Sequence, residues 1–285
     1  MESQKQFTPA YSFEFFPTKT PEGTEKLRRV REKLATLNPA YFSVTFGAGG
    51  STQQGTLEAV IDIQKSGHSA APHISCIGTD KQTIIELLET YKNNGIKRLV
   101  ALRGDLPSGA GSSGNGDFNH ADELVHFIRE QHNRDFHIEV AAYPEFHPQA
   151  KSPEDDLNNF KHKVDAGADS ALTQYFFNPD AYFRFIDDCE KRAITIPIVP
   201  GIMPITNYTQ LARFSDMCGS EIPRWIRKRL EAFADDKESL LAFGEEVITD
   251  LCHQLLEAGA PGLHFYTLNQ AQASTAIWTN LGLMN

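Results

Sequence analysis

The sequence predicts an α/β fold of the (β/α)8 TIM-barrel class, with residues 1–285 forming a single domain. Three observations support this class. Eight short apolar or β-branched segments recur along the chain, stretches with helical periodicity lie between them, and neighbouring strand ends are mostly about 30 residues apart, the length of one strand–helix–strand unit. An open doubly wound sheet is the main alternative, but eight regular units favour a closed barrel.

The predicted strands are runs of apolar and β-branched residues bounded by turn residues. They span residues 11–17, 41–47, 70–77, 98–103, 138–143, 170–177, 195–202 and 263–268. The last interval between strand ends, from Gly201 to Tyr266, is about twice as long as the others. It leaves room for extra helices between strands 7 and 8.

Helices between the strands are predicted from apolar spacing and from their end signals. Ser152 is a capping residue, Pro153 suits the first helical position, and an acid follows in the first turn. Three helices end alike, at Gly95, Gly167 and Gly259, each shortly before a strand. A repeated helix-to-strand turn is what a repeated β/α architecture requires.

Composition excludes several classes of protein. The chain has 27 Lys and Arg against 37 Asp and Glu, and this net charge of −10 argues against a nucleic-acid partner. No apolar signal segment begins the chain and no run approaches about 18 apolar residues, so we expect a cytoplasmic protein without a membrane segment. Because no HExxH motif or close His and Asp cluster appears, we predict no metal site.

Nearly every predicted strand ends in a polar residue with useful chemistry. In a closed parallel barrel these strand ends converge on one face, where such barrels place their active sites. The sequence therefore predicts one candidate site formed by residues that are distant along the chain. Its strand-end members are Glu14, Thr45, His73, Arg103 with Asp105, Tyr143, Gln174, Gly201 and Tyr266.

Glu14 is the most informative of these residues. Alternation along a strand places Ser12, Glu14 and Phe16 on one face, with Phe13 and Phe15 on the other. If the two phenylalanines pack under helices, Glu14 points into the mouth of the barrel. Desolvation disfavours the charged form of a carboxyl, which suits a general acid. The alternative is a structural glutamate paired with a neighbouring cation.

Other motifs remain open between a functional and a structural interpretation. Arg103 suits a phosphate group and Asp105 a hydrogen bond to a polarised ring, but a salt bridge at a strand end explains both as well. The glycine-rich segment 47–50 has no following P-loop lysine, but its glycines could let the backbone approach a flat ligand. The GxGxxG match at 109–114 does not lie in a strand-to-helix turn and is interpreted as a surface loop.

Taken together, the motifs resemble those of the 5,10-methylenetetrahydrofolate reductase family in its short bacterial form. The match extends in order over almost the whole chain, which makes it highly specific. The matching strings are SFEFFP (12–17), SVTFGA (43–48), APHISC (71–76), LRGDLP (102–107), AAYPE (141–145), HP (147–148), KVDAG (163–167), TQ (173–174), PGIMP (200–204) and FYTLN (265–269).

The resemblance implies a flavoenzyme of folate metabolism. Such an enzyme holds FAD at the C-terminal face of the barrel, takes hydride from NADH or NADPH, and reduces 5,10-methylenetetrahydrofolate to 5-methyltetrahydrofolate by ping-pong transfer, which supplies methyl groups for methionine synthesis. Relatives are homo-oligomers, dimers or tetramers, so a homo-oligomer is expected. The chain stops at Asn285, and we expect no C-terminal regulatory domain.

The resemblance also implies roles for individual residues. Glu14 corresponds to the general acid that assists opening of the methylene-bridged ring, and Asp105 to the acid near the flavin and pterin rings. Gln174, Gln210, Phe214 and Gln270 correspond to substrate-binding positions. The positions that correspond to FAD contacts are Thr45, Phe46, Ala48, His73, Arg103, Gly104, Asp105, His120, Ala121, Tyr143, His147, Asp156, Asn159 and Lys163.

Three positions depart from the family pattern. Phe46 and His120 each replace a tyrosine near the flavin, and Gln270 replaces an arginine that would contact the folate tail. Two other functions share the scaffold and remain alternatives at this point: a pterin-binding methyltransferase barrel without flavin, and a non-catalytic folate-binding barrel. A yellow, flavin-like absorption band in the purified protein would separate the first function from both.

Overall fold

The computed structural model describes residues 1–46, 53–104 and 116–283. In these ranges the strands are β1 (Ala10–Phe15), β2 (Tyr41–Val44), β3 (Ala70–Ser75), β4 (Arg98–Leu102), β5 (His137–Ala142), β6 (Ser170–Thr173), β7 (Ile198–Val199), β8 (Gly201–Ile202) and β9 (Gly262–Tyr266). The helices are α1 (Glu2–Lys5), α2 (Pro21–Ala35), α3 (Gln53–Lys65), α4 (Lys81–Asn93), α5 (Ala121–His132), α6 (Pro153–Asp165), α7 (Pro179–Lys191), α8 (Tyr208–Cys218), α9 (Arg224–Phe233), α10 (Lys237–Glu257) and α11 (Gln272–Asn280).

The strands form one sheet whose order confirms the predicted fold class. They hydrogen-bond in the order β7-β6-β5-β4-β3-β2-β1-β9-β8. The first and last strands of this order, β7 and β8, are adjacent in sequence, because only Pro200 separates them. Helices α8, α9 and α10 lie between β8 and β9, where extra helices were predicted.

The predicted seventh strand, 195–202, is wrong in one respect. It is two strands of two residues each, and Gly201 begins β8 instead of ending a strand. Pro200 has no N–H to donate to a sheet ladder, so it interrupts pairing at this point. The Gly201 N–H instead donates to Thr173 Oγ1 at 2.9 Å.

The chain divides into two compact units. We call Ser12–Ala141 with Phe160–Ala171 the central unit, and Met1–Tyr11, Ala142–Asn159 and Leu172–Asn285 the terminal unit. In the part of the chain that the structure describes, no helix combines the length and the apolar composition needed to cross a membrane.

In the central unit, strand alternation separates two kinds of side chain. Phe13 and Phe15 are fully buried and stack against Phe42, with ring centroids 6.1 and 5.4 Å apart. The register pairs Glu14 with Ser43, and residues paired in a parallel register share a face of the sheet. The predicted alternation in β1 is therefore confirmed. We call the side of these strands that carries Glu14 the polar face.

A buried ion pair lies near the starts of the central unit's strands, on the polar face. The Glu139 carboxylate accepts hydrogen bonds from Arg98 Nη1 at 2.8 Å, from the Tyr41 hydroxyl at 2.8 and 2.9 Å, and from Ser170 Oγ at 3.2 Å. The Arg98 guanidinium also lies 4.5 Å from the centre of the Tyr41 ring. Burial raises the pKa of Tyr41 well above its usual value, so its hydroxyl remains a donor.

His137 gives this part of the fold a dependence on pH. Burial, and then the charge of Arg98, lowers the pKa of His137 below 6.5, and its Nε2 lies 2.7 Å from Ser170 Oγ. The unfolded chain therefore binds a proton near pH 6.5 that the folded chain binds only at lower pH. The contribution of His137 to the free energy of unfolding is complete above pH 6.5 and is lost progressively below it.

We expect chemical denaturation at pH 7.5 and 5.5 to show a smaller loss of unfolding free energy in His137→Gln than in the unmodified protein. Equal losses in the two proteins would contradict this account.

Helix ends in the structure agree with the sequence signals. Ser152 Oγ accepts the N–H of Asp155 at 3.1 Å, as the predicted cap requires. Gly95, Gly167 and Gly259 all have positive φ, at 75°, 115° and 98°, which confirms the repeated turn. These turns set the start of the next strand after α4, α6 and α10.

Candidate active site

Glu14 and His73 are in contact on the polar face of the central unit. Glu14 Oε2 lies 3.3 Å from His73 Nε2, and the two side chains are 15% and 7% exposed. Register explains the approach: Glu14 pairs with Ser43 of β2, Ser43 pairs with Ala71 of β3, and His73 follows two residues later on the same face. The contact joins a carboxyl to a second group that carries protons, across an intervening strand.

Thr45 continues the strand ladder beyond the end of β2. Its N–H donates to Phe15 O at 2.9 Å, and its carbonyl accepts from Thr56 Oγ1 of α3 at 2.8 Å. This places Thr45 and the half-buried Phe46 directly after the end of β2, beside the end of β1. Ala48 lies outside the described residues.

Arg103 and Gly104 are held close to the end of β3. Arg103 O accepts from the Ile77 N–H and from Ser75 Oγ, both at 2.9 Å. Gly104 has φ +85°, and a Cβ atom there would lie only 1.9 Å from Ser75 Oγ, so this turn requires glycine. Asp105 lies outside the described residues.

His120 and Ala121 mark the start of α5. His120 is the residue before the helix, its backbone is extended, and its side chain makes no capping hydrogen bond. Its carbonyl accepts from Cys76 Sγ at 3.5 Å, which ties the helix start to the end of β3. Burial raises the pKa of Cys76 to about 12, so this thiol stays protonated and is no nucleophile.

Helix α6 carries three of the predicted cofactor residues on one side. Asp156, Asn159 and Lys163 are spaced i, i+3 and i+7, which places them on one helix face. Lys163 Nζ, in the central unit, donates to Ala141 O at 2.5 Å near the end of β5. This brings one cation to a strand end in the central unit.

In the terminal unit, Tyr143, His147 and Asp156 form one cluster. The Tyr143 and His147 rings meet edge to face at 4.6 Å, and Asp156 Oδ2 accepts the His147 N–H at 3.0 Å. The Gln149 N–H donates to His147 Nδ1 at 3.0 Å, which requires that this ring nitrogen carry no proton. Tyr143 and Asp156 also line a cavity of about 350 Å³ with Arg184.

Gln174 lies beside the end of α8. Its N–H donates to Ala142 O at 2.8 Å, and its side chain shares a small crevice with Tyr143 and Cys218. The next residue, Tyr175, anchors the helix, because its hydroxyl lies 3.1 Å from Ser215 Oγ. Sequence reasoning extended strand 6 through this residue and so missed that it fixes α8.

Gln210 and Phe214 lie on one face of α8, and Gln270 lies elsewhere in the terminal unit. The helix begins after Asn207, whose side chain accepts the Gln210 N–H at 2.8 Å. The four-residue spacing places Gln210 and Phe214 side by side. Gln270 follows β9 in a turn in which Leu268 and Asn269 adopt positive φ, and its N–H donates to Thr267 O at 2.9 Å.

Tyr266 and Gly201, which the sequence predicted at strand ends, both lie against Thr173 of β6. The Tyr266 hydroxyl donates to Thr173 O at 2.7 Å, and a Cβ at Gly201 would lie 2.1 Å from the same carbonyl.

Glu145 was not predicted as a site residue. Its carboxylate accepts the Glu221 N–H at 2.9 Å, and burial raises its pKa. A carboxyl next to the cluster of Tyr143 and His147 was the only sequence signal for it.

The fold and these strand-end groups together define a class of protein. Parallel strands that alternate with helices, with an acid, cations and amides placed at strand ends, are the arrangement of a (β/α)8-barrel enzyme. A solved structure from Clostridium thermocellum, of an uncharacterized protein that binds two copies of 5-methyl-5,6,7,8-tetrahydrofolic acid, shares this fold with a TM-score of 0.65 at 14% identity, over 99% of this chain and 96% of that one.

Comparison of the sequence identifies the family. The family model for methylenetetrahydrofolate reductase matches residues 1–282. The 5,10-methylenetetrahydrofolate reductase of Escherichia coli is 41% identical over 273 residues, which cover 95% of this chain and 90% of that protein. Methylenetetrahydrofolate reductase (NADH) 1 of Arabidopsis thaliana is 39% identical over 99% of this chain and 50% of its own length. The chain therefore belongs to the methylenetetrahydrofolate reductase family and is an oxidoreductase that acts on folate.

Proposed function

We propose that the protein reduces 5,10-methylenetetrahydrofolate to 5-methyltetrahydrofolate with NADH or NADPH, through bound FAD and by ping-pong transfer, with Glu14 as general acid. The family match over residues 1–282 supports the reaction and supports treating these residues as one catalytic domain. The observation that carries the assignment of the acid is the Glu14 carboxyl, which is 15% exposed and lies 3.3 Å from His73 Nε2 at a strand end.

The groups in the central unit fit a dinucleotide cofactor. Gly104, with φ +85°, lets the backbone turn directly after β4 and pack against Ser75 at the end of β3. Arg103 and Lys163 supply cations for a diphosphate, and the start of α5 at Ala121 supplies helix N–H groups. When bound, FAD would accept hydride from the nicotinamide and return it to the folate carbon.

The remaining predicted cofactor residues complete this proposal. Thr45 and Phe46 would border the flavin from the end of β2, and His73 from the end of β3. Tyr143 and His147 would contact FAD from the segment between β5 and α6, and Asp156 and Asn159 from α6 itself. His120 is included because it precedes α5; Ala48 and Asp105 are included from the family match alone, since they lie outside the described residues.

Glu14 would transfer the proton that the reaction needs. Opening of the five-membered ring of the substrate turns an amine nitrogen into a leaving group, and protonation of that nitrogen makes it leave more easily. The contact with His73 orients the Glu14 carboxyl and provides a neighbour that can exchange protons with it. Gln174 would form hydrogen bonds to the pterin through its amide. Gln210, Phe214 and Gln270 would contact the rest of the folate.

The proposal is tested by separating the two half-reactions. Purified protein, loaded with FAD if necessary, is mixed without oxygen with NADH or NADPH, and the flavin absorption is followed. We expect the band to bleach and then to return when methylenetetrahydrofolate is added in the absence of nicotinamide. Protein that binds no flavin, or bleached enzyme that folate cannot reoxidise, would contradict the proposal and favour a methyltransferase or a folate-binding protein.

A further inference from the structure

A cavity of about 390 Å³ lies between α2 and α3 in the central unit. Phe15 of β1 lines it, and strand alternation directs this side chain away from the polar face that carries Glu14. The cavity is therefore on the helix side of the sheet, separate from the candidate active site. Its volume lies in the range of small-molecule binding sites.

The two helices line this cavity with the same spacing of residues. On each helix four lining residues follow one another at i, i+3, i+4 and i+7, namely Thr24, Leu27, Arg28 and Arg31 on α2 and Gly55, Glu58, Ala59 and Asp62 on α3. Gly55 and Ala59 leave space between the helices that larger side chains would fill. From Gly55 to Lys65 the wall that α3 provides is about 15 Å long, which suits an elongated ligand.

Two guanidinium groups of α2 share one carboxylate of α3 in this cavity. Arg31 Nη1 donates to Asp62 Oδ2 at 2.6 Å, and Arg28 Nη2 donates to Asp62 Oδ1 at 2.8 Å. Glu25 also lies 3.8 Å from Arg28, but within the described residues only Asp62 is at ion-pair distance from Arg31. The charged residues that line the cavity are three cations and two acids, namely Arg28, Arg31 and Lys65 with Glu58 and Asp62.

Arg31 is the buried one of the two arginines. Its side chain is 9% exposed, against 45% for Arg28. Beyond the bond to Asp62, its N–H groups have no acceptor in the part of the chain that the structure describes. Buried polar groups are ordinarily hydrogen-bonded, because an unpaired one costs free energy. The planar fork of a guanidinium can hold a carboxylate by two parallel bonds, so Arg31 has donors for a second carboxylate.

We propose that this cavity binds a small monocarboxylate with an elongated apolar body. The carboxylate pairs with the N–H groups of Arg31 that Asp62 leaves unused, and one negative charge balances the one extra cation of the lining. The apolar body lies along Leu27 and Ala59, over Phe15. This site is additional to the candidate active site, and the inference does not rest on the proposed folate reduction.

The experiment uses octanoate as the probe and octanamide as an uncharged probe of the same length. Binding of each to the full chain, with FAD present, is measured by isothermal titration calorimetry at low salt. We expect one octanoate site and at least about tenfold weaker binding of octanamide. Arg31→Gln should weaken octanoate binding by at least about tenfold, the usual effect of losing a charge-assisted hydrogen bond.

Two further variants separate the cavity from a general effect of charge. Ala59→Leu places a larger side chain in the cavity without changing any charge, so it should also weaken octanoate binding by about tenfold or more. Arg29→Gln is the matched control for the arginine variant. Arg29 lies on the same helix but is 75% exposed and pairs with Glu25 outside the cavity, so its loss should leave the octanoate affinity unchanged.

Three results would overturn the inference. The first is the absence of octanoate binding up to about 10 mM, beyond which affinity is too weak for a specific site. The second is equal binding of octanoate and octanamide, which would show that the cations take no part. The third is unchanged octanoate binding by Arg31→Gln or Ala59→Leu, which would place the bound octanoate elsewhere. If Arg31→Gln fails to fold by circular dichroism, Ala59→Leu decides the question.

Discussion

Replacement of Glu14 by glutamine is expected to lower folate reduction by at least about 100-fold while flavin reduction by NADH or NADPH continues. Glutamine has the shape of glutamic acid and can keep a contact with His73, but it cannot release a proton to a leaving amine. The effect should therefore fall on the folate half-reaction alone. Anaerobic stopped-flow measurement of the two half-reactions provides the test.

Ser43→Ala is the matched control for this variant. Ser43 pairs with Glu14 in the strand register and is fully buried, and its hydroxyl has no hydrogen-bond partner among the described residues. Its removal alters the same face of the sheet without removing an acid, so both half-reactions should continue at normal rates. Near-normal folate reduction by Glu14→Gln would show that Glu14 is not the acid, and loss of both half-reactions would show that it is a structural residue.

The sequence was sufficient to predict the order of strands and helices because their signals are local. Alternation predicted the burial of Phe13 and Phe15, and glycines at 95, 167 and 259 predicted the turns before strands. Strand ends were less accurate. The predicted strand 170–177 stops at Thr173, because the apolar residues after it are buried in a loop without continuing the ladder. Apolar composition indicates burial and does not indicate hydrogen bonding.

The sequence predicted which residues lie at strand ends in the candidate site, but it did not predict which of them are in contact. The strand-end rule identified Glu14 and His73, and their 3.3 Å contact follows from a register that no local pattern specifies. The contact between Tyr208 and Glu231 was missed for a similar reason, since the two residues meet only when α8 and α9 pack against each other. The ion pair of Arg98 and Glu139 also depends on register, because 41 positions separate the two residues.

Replacement of Glu139 by leucine is expected to lower the free energy of unfolding by about 3 kcal/mol, the low end of the range for breaking a buried pair. Glu139 is 2% exposed, and its loss leaves Arg98 without this counter-ion and removes one hydrogen-bond acceptor from each of the hydroxyls of Tyr41 and Ser170. The Arg98 side chain is 26% exposed, so water reaches part of the orphaned charge and limits the cost. Urea unfolding followed by circular dichroism measures the change.

Two comparisons separate the orphaned charge from a general effect of mutation. Asp135→Asn removes a carboxylate of the same central unit that pairs with Lys92 at 2.8 Å, but both side chains are about half exposed. This change should lower the free energy of unfolding by much less than Glu139→Leu does, because solvent screens an exposed pair. Arg98→Met combined with Glu139→Leu removes both charges, and it should recover much of the stability that the single variant loses. A double variant as unstable as Glu139→Leu would mean that lost packing and hydroxyl contacts, not the unpaired Arg98 charge, cause the destabilisation.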